Sequence, residues 1–238
     1  MNFLIIGGDA AGMSAASRAK RNQPDLDVTV LEKTADVSYS ACGMPYNIAD
    51  PDRSIEDLVV RRAEVFRQKQ GIDLLTGIEA TAIDPAAKAV NTRDADGRAR
   101  TFRYDNLLIA TGAAPITPAI PGIDLPGVMV LKSLAHGRAI KQFIDQWAVR
   151  KTVIIGMGYI ALEMCEALRE RGIAVDMVKP RDQFLPWMED HLAGQVKAEV
   201  VSKGVGVHAG HAIEKIEKAN GRLAVLGPDL TLEADLVL

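Results

Sequence analysis

NFLIIGGDAAGMSAASRAKRNQPDLDVTVLE, residues 2–32, reads as strand, glycine turn, helix and strand. The apolar run at 2–6 suits a strand covered on both faces of a parallel sheet, and it ends on Gly7 and Gly8. Small and apolar residues then recur at helical spacing from Ala11 to Asn22, and residues 27–31 return to a β-branched strand pattern. Two strands joined by such a helix form a βαβ unit. Gly7 and Gly12 take the outer positions of a GxGxxG pattern, with Asp9 at the middle one. A glycine at the first position permits the tight turn, and one at the last permits close packing of helix on strand. The helix N-terminus then offers free N–H groups and a positive dipole end to a pyrophosphate. A carboxylate at position 9 repels that group unless it points away, in which case Gly8 supplies the close approach. Glu32 closes the second strand about 20 residues after the last glycine, where an acid takes a ribose hydroxyl. A glycine-rich turn without a ligand is the bland alternative.

The same order returns later: a strand at 152–155, a helix from Tyr159 to Arg171 and a strand at 174–178. Here VIIGMGYIALE sets Gly156, Gly158 and Ala161 in a full GxGxxG/A match. The second strand runs into VDMVKPRDQFLP, so Lys179 and Arg181 stand where an acid would hold an unphosphorylated ribose. Two cations fit a 2′-phosphate better than a hydroxyl, which points to NADPH; as ordinary solvated charges they leave NADH as the coenzyme.

Between the two units, strand signals at 72–76, 79–83, 88–92 and 100–103 read as a small antiparallel meander. YDNLLIATG (104–112) then gives way to the proline-rich AAPITPAIPGIDLPG (113–127), an extended connector. Domains are therefore expected at 1–113 and 114–238. Past the second unit come a helix from Glu189 to Lys203 and strands near 205–207, 213–217, 222–226 and 235–238. The fold class is α/β: two Rossmann-like, three-layer nucleotide-binding domains, each with a small antiparallel meander. The last strand, ADLVL, reaches the final residue without a turn, which suggests that the chain stops short of a complete enzyme.

With 238 residues, 48% of them hydrophobic, the chain buries a sizeable core. A net charge of −3 with both signs intermixed argues against nucleic acid and acidic membranes as partners. MNFLII lacks a cationic start and breaks at Gly7, as neither a leader peptide nor a membrane span would, so a cytoplasmic protein is expected. The two cysteines, Cys42 and Cys165, match no zinc or CxxC spacing, so reduced thiols and no metal are expected.

Cys42 lies in SYSACGMPY, about ten residues past Glu32. Together with IIGGDAAGMSAA, the ATG at 110–112 and GMGYIALEMCEALRERG, this segment resembles the pyridine nucleotide-disulfide oxidoreductases. The resemblance is to the branch that includes coenzyme A-disulfide reductases, NADH oxidases, NADH peroxidases and persulfide reductases, and it spans essentially the whole chain. It implies FAD on the first unit, at Gly7, Gly8, Ala11, Gly12, Glu32, Lys33, Thr111 and Gly112. It implies NAD(P)H on the second, at Gly156, Gly158, Tyr159, Ile160, Glu163, Lys179 and Arg181, with Tyr159 and Glu163 near nicotinamide and flavin. Tyr159 as a packing aromatic at a helix start is the plainer reading.

The resemblance also sets Cys42 against the flavin. Dithiol relatives carry a second cysteine close by, whereas the neighbours here are Ala41, Gly43 and Met44. Cys42 alone then cycles between thiolate and a mixed disulfide or a sulfenic acid. A lone cysteine is otherwise a small buried hydrophobe, the role assigned to Cys165. Coenzyme A contacts are implied at Ser14, Arg18, Arg21 and Ser38, although both arginines also suit a solvated helix face. Ala41 departs from the polar residue of coenzyme A-specific relatives and leaves the thiol open.

The resemblance further implies a third FAD segment and a C-terminal dimerisation domain, which these 238 residues are not expected to include, and a homodimer for the full-length protein. The leading expectation is an FAD-dependent NADPH oxidoreductase acting on coenzyme A disulfide or another small disulfide or persulfide. An NAD(P)H oxidase or peroxidase is the enzymatic alternative, and an inert nucleotide-binding fragment the non-enzymatic one. His136, His191, His208 and His211 fall in no motif.

Overall fold

A computed structural model describes all 238 residues and divides them into two compact units. The first holds Met1–Ser40 and Glu56–Ala114, the second Ala41–Ile55 and Pro115–Leu238. In the first unit β1 (Asn2–Ile6), α1 (Ala10–Asn22) and β2 (Asp27–Glu32) form the expected βαβ unit. The chain then enters the second unit for a short helix, α2 (Met44–Ala49), and returns through α3 (Ala63–Gln70) to β3 (Asp73–Thr76). A three-stranded antiparallel sheet follows, β4 (Ile78–Asp84), β5 (Ala89–Asp94) and β6 (Ala99–Arg103), and β7 (Asn106–Ile109) completes the unit. The parallel sheet has the order β3-β2-β1-β7.

The second unit repeats this plan. Helix α4 (Leu134–Trp147) precedes β8 (Lys151–Ile155), α5 (Tyr159–Glu170) and β9 (Ala174–Lys179). Next come α6 (Asp190–Ser202) and β10 (Gly206–Ala209), an antiparallel sheet of β11 (Lys215–Ala219), β12 (Arg222–Leu226) and β13 (Thr231–Ala234), and finally β14 (Leu236–Val237). Its parallel order is β10-β9-β8-β14. The central strands β1 and β8 each bury three residues in succession, which is why they read as short apolar runs.

Three expectations change. Residues 72–76 do not join the meander: β3 pairs in parallel with β2, Leu74 opposite Val30. Its local pattern is equally good for either pairing, and the choice is made by a distant partner. Likewise 205–207 and 235–238 belong to the second parallel sheet, and Thr231–Ala234 supplies the third meander strand. Lastly, the expected contiguous domain 1–113 is interrupted, because residues 41–55 fold with the second unit. Ile48, fully buried, packs in one cluster with Ile140, Ile144, Leu168 and Met177, and leaving that cluster would expose about 1.5–3 kcal/mol of side-chain burial.

Candidate functional site: two nucleotide cradles and an exposed thiol

The first glycine loop is built against itself. Gly7 has φ +114°, and a Cβ there would stand 2.2 Å from the Ala110 carbonyl oxygen. A Cβ on Gly12 would meet the Gly7 oxygen at 1.8 Å, and one on Gly8 would meet the Glu32 Cβ at 2.8 Å. Each glycine is thus required by the approach of strand, helix and carboxylate, before any ligand is considered. Asp9 is the N-cap residue of α1 without a side-chain capping bond. Glu32 Oε2 accepts the Gly8 N–H at 2.8 Å, while Oε1 accepts the Thr34 N–H and hydroxyl, both at 2.8 Å. A carboxylate has about four lone-pair sites, so one acceptor position remains for a ribose hydroxyl. Thr111 and Gly112 lie exposed just past β7, with open space around Gly112. These groups meet at the carboxyl ends of β1, β2 and β7, where the strand order reverses and a doubly wound sheet takes its ligand. Ala11 and Lys33 are exposed at the same edge without holding contacts.

The second loop differs in one respect. Gly156 (φ +140°) and Gly158 have nothing within 4 Å of where a Cβ would be, so a space the width of a side chain stands over the N-terminus of α5. That open cradle fits a dinucleotide pyrophosphate. Tyr159 and Ile160 are 63% and 57% exposed beside it, and Glu163 is half-buried one turn on. Trp187 stacks near Tyr159 with ring centroids 5.1 Å apart. At the end of β9, Lys179 Nζ donates to the Gln183 carbonyl, and burial, then the nearby Arg181 charge, pushes the Lys179 pKa down. The main chain of both cations is pinned: Lys179 O accepts the His211 N–H at 3.0 Å and Arg181 O accepts the Gly210 N–H at 3.2 Å. Leu185 anchors the loop, 1% exposed, at a left-handed φ of +54°. A branched residue holds such a conformation only where its surroundings over-determine it.

Cys42 is exposed in the tight turn Ala41–Gly43 that leads into α2. The segment behind it is fastened to the second unit at its far end. Lys141 Nζ, on α4, donates to Asn47 O (2.9 Å), Asn47 Oδ1 (3.1 Å), Asp50 O (2.6 Å) and Arg53 O. Arg171, at the end of α5, donates to Ile48 O at 3.3 Å and pairs with Asp145. These cations satisfy carbonyls that the end of a helix leaves without partners. Cys165 is buried, and desolvation pushes its thiol up to about 11.

Ser14, Arg18 and Arg21 line one exposed face of α1. Ser38 holds a left-handed φ of +49°, its N–H on the Gly8 carbonyl at 3.2 Å and its own carbonyl taking the Val60 N–H at 2.9 Å. It therefore braces the glycine loop. Lys141, Asn47 and Trp187 went unread in sequence, since none sits in a motif, and Arg171, inside the second glycine motif, was given no role of its own. His136 has a structural role, because its N–H donates to Ser133 Oγ and its Nδ1 accepts the Ser133 N–H, closing a capping box at the start of α4. No group of three or more His, Cys, Asp or Glu is placed to hold a metal ion, and no helix is long and apolar enough to cross a membrane.

The family model of pyridine nucleotide-disulphide oxidoreductases matches residues 1–238. The CoA-dependent NAD(P)H sulfur oxidoreductase of Pyrococcus abyssi is 36% identical over 235 residues, 99% of this chain and 52% of its own length. The NAD-dependent persulfide reductase from A. fulgidus superposes with a TM-score of 0.93 at 33% identity, over 100% of this chain and 45% of that one. An engineered water-forming NADPH oxidase, derived from the Lactobacillus brevis NADH oxidase, gives 0.93 at 26% identity, over 100% of this chain and 53% of that one. The chain spans about half the length of the curated relatives it matches.

Proposed function

The chain belongs to the pyridine nucleotide-disulphide oxidoreductases, and from that premise we propose that it is the FAD- and NADPH-binding part of an enzyme that reduces a small disulfide or persulfide through Cys42. The observation that carries the reading is the exposed Cys42 thiol in a chain that holds two nucleotide cradles and no second accessible cysteine. The relatives named for coenzyme A-dependent sulfur and persulfide reduction favour that substrate class.

Gly7, Gly8 and Gly12 would hold FAD, with Glu32 on its ribose and Thr111 and Gly112 beside it, while Gly156 and Gly158 would take the coenzyme pyrophosphate. FAD, when bound, relays the two electrons of NADPH. The protein's own step is thiol exchange. The Cys42 thiolate attacks one sulfur of the disulfide, that S–S bond breaks, a mixed disulfide forms on Sγ, and the first small thiolate leaves. Two electrons and a proton then return Cys42 to thiolate and release the second thiol. Ser14, Arg18, Arg21 and Ser38 remain the proposed contacts for coenzyme A, the arginines facing its phosphates.

NADPH is favoured over NADH by Lys179 and Arg181. The engineered NADPH oxidase lost an aspartate and gained two arginines, an exchange of acid for cation of the same kind, though not tied to these positions. The domain assignment is likewise proposed: FAD on the first unit, NADPH on the second, with the full-length protein a homodimer.

The test is a visible spectrum of the purified chain, with and without NADPH under anaerobic conditions, followed by product assays on wild type and Cys42→Ser. A yellow protein bleached by NADPH that releases thiol from coenzyme A disulfide, and loses this in Cys42→Ser while staying yellow, supports the proposal. Full thiol release by Cys42→Ser refutes it. Oxygen or peroxide consumption without thiol release favours the oxidase reading, for which related oxidases exist.

A further inference from the structure

Lys141 is the most thoroughly engaged cation of the chain, and the thiol chemistry of Cys42 does not itself call on it. It is 8% exposed, in the middle of α4, at a position where a helix packed on a core normally carries an apolar residue. Its ammonium has three protons and faces four oxygens, three of them main-chain carbonyls, at Asn47, Asp50 and Arg53, and the fourth the Asn47 amide. Asn47 is itself fully buried and its Nδ2 donates to Ser54 O at 2.7 Å, so it ties both ends of the 47–54 bend to the same cation. Nearby formal charges are Arg171, Asp145, Asp50 and Arg53, and no carboxylate contacts the ammonium directly. A set of carbonyl oxygens around one cation is the arrangement that strips and replaces the hydration shell of a potassium ion. In this protein a side chain provides the charge.

The bend so fixed is the continuation of the turn that presents Cys42, five residues before Asn47. Gly137, one turn ahead of Lys141, brings α4 so close to this segment that a Cβ would meet Met44 Sδ and Ile55 Cδ1 at 3.3 Å each. We propose that Lys141 is the positioning residue of Cys42: a built-in ammonium that occupies a monovalent-cation cage and locks the cysteine-bearing segment onto α4. This deepens the proposed function by naming what fixes the thiol. Its geometry can be tested whether or not Cys42 proves to be the reacting group.

The experiment attaches a nitroxide spin label to Cys42, the one exposed thiol, and compares wild type with Lys141→Met at equal ionic strength in sodium, potassium, ammonium and tetramethylammonium chloride. Wild type gives an immobilised label in every salt. In Lys141→Met the cage loses its charge, and a mobile component grows to more than half of the signal in sodium and tetramethylammonium while the far-UV circular dichroism stays native. Ammonium, and more weakly potassium, restore the immobilised spectrum with saturation. A role confined to global stability would lower the melting temperature without changing the label below it, and without selectivity for ammonium. An immobile label in Lys141→Met, or mobility indifferent to the cation, overturns the proposal. If the variant does not fold in sodium, refolding in ammonium is the expected result, and a variant that no cation refolds counts against the cage. Thiol-release activity measured in parallel separates the two claims: an intact cage with an inert Cys42 refutes only the catalytic reading.

Discussion

Replacing Gly12 and Gly158 with alanine, separately, should divide stability from coenzyme binding. At Gly12 the new methyl would lie 1.8 Å from the Gly7 carbonyl oxygen. Carbon and oxygen rest about 3.3 Å apart at closest, so α1 must retreat from β1 by roughly 1.5 Å. The obstacle is main chain on both sides and has no rotamer to yield, which sets the cost at the upper end of overpacking, about 3 kcal/mol. For a chain of this size that lowers the melting temperature by about 6–12 °C. At Gly158 there is nothing within 4 Å, and its backbone, φ −87°, suits any residue. Gly158→Ala should melt within about 2 °C of wild type, slightly higher through a stiffer unfolded chain. Its methyl instead fills the space left over the N-terminus of α5, and NADPH binding should weaken at least tenfold, about 1.4 kcal/mol. Circular dichroism melts and quenching of Trp187 fluorescence by NADPH measure the two quantities. A Gly12→Ala protein that melts like wild type, or a Gly158→Ala protein that binds NADPH unchanged, would refute the reasoning.

Iodoacetamide at pH 8 should label one thiol per native chain, at Cys42, and two in urea, because burial holds the Cys165 thiol near 11; peptide mapping identifies the site. Exchanging Lys179 and Arg181 for Asp and Ser should reverse the coenzyme preference, with NADPH affinity falling about 10–100-fold as charge-assisted bonds are lost, and unchanged NADPH affinity would remove these residues from the site. Burial alone would raise the carboxyl pKa of Asp235, but bonds from Arg222 and the Arg150 and Lys151 N–H groups outweigh it and hold the value below 3.8. A depressed folded pKa means stability that is present above the unfolded value and lost as pH falls through the folded one. Asp235→Asn should therefore cost stability at pH 7, and its urea midpoint should converge with that of wild type as the pH falls below the ordinary carboxylate range.

The two βαβ units were legible because burial on both strand faces and the glycine spacing leave local marks on the sequence. What escaped notice was decided at a distance. Asp73–Thr76 and Gly206–Ala209 carry strand patterns that serve a parallel or an antiparallel neighbour equally. Helix α4 was hidden by its own function: Lys141 breaks the apolar stripe, Gly137 weakens the helical signal, and the capping box is closed by His136 where a Glu or Gln is the usual sign. Residues 41–55 follow the first unit in sequence, and only the burial of Ile48 and the Lys141 cage reveal that they fold with the second.

The duplication runs deeper than the glycine loops suggest. Asp105 sits one residue before β7 and accepts the Asn2 N–H at 2.6 Å, while its own N–H donates to Asn2 O. Asp235 sits one residue before β14, accepts the Lys151 N–H at 2.9 Å, and donates its N–H to Lys151 O. In each unit, then, an aspartate clamps the start of the first parallel strand to the strand that arrives last, after the meander. That closure sets β7 beside β1 and β14 beside β8, which puts the reversal of strand order next to the glycine loop in both sheets. The same closing device thus serves both glycine loops, and the two copies differ in what crowds their glycines: protein in the first, open space in the second.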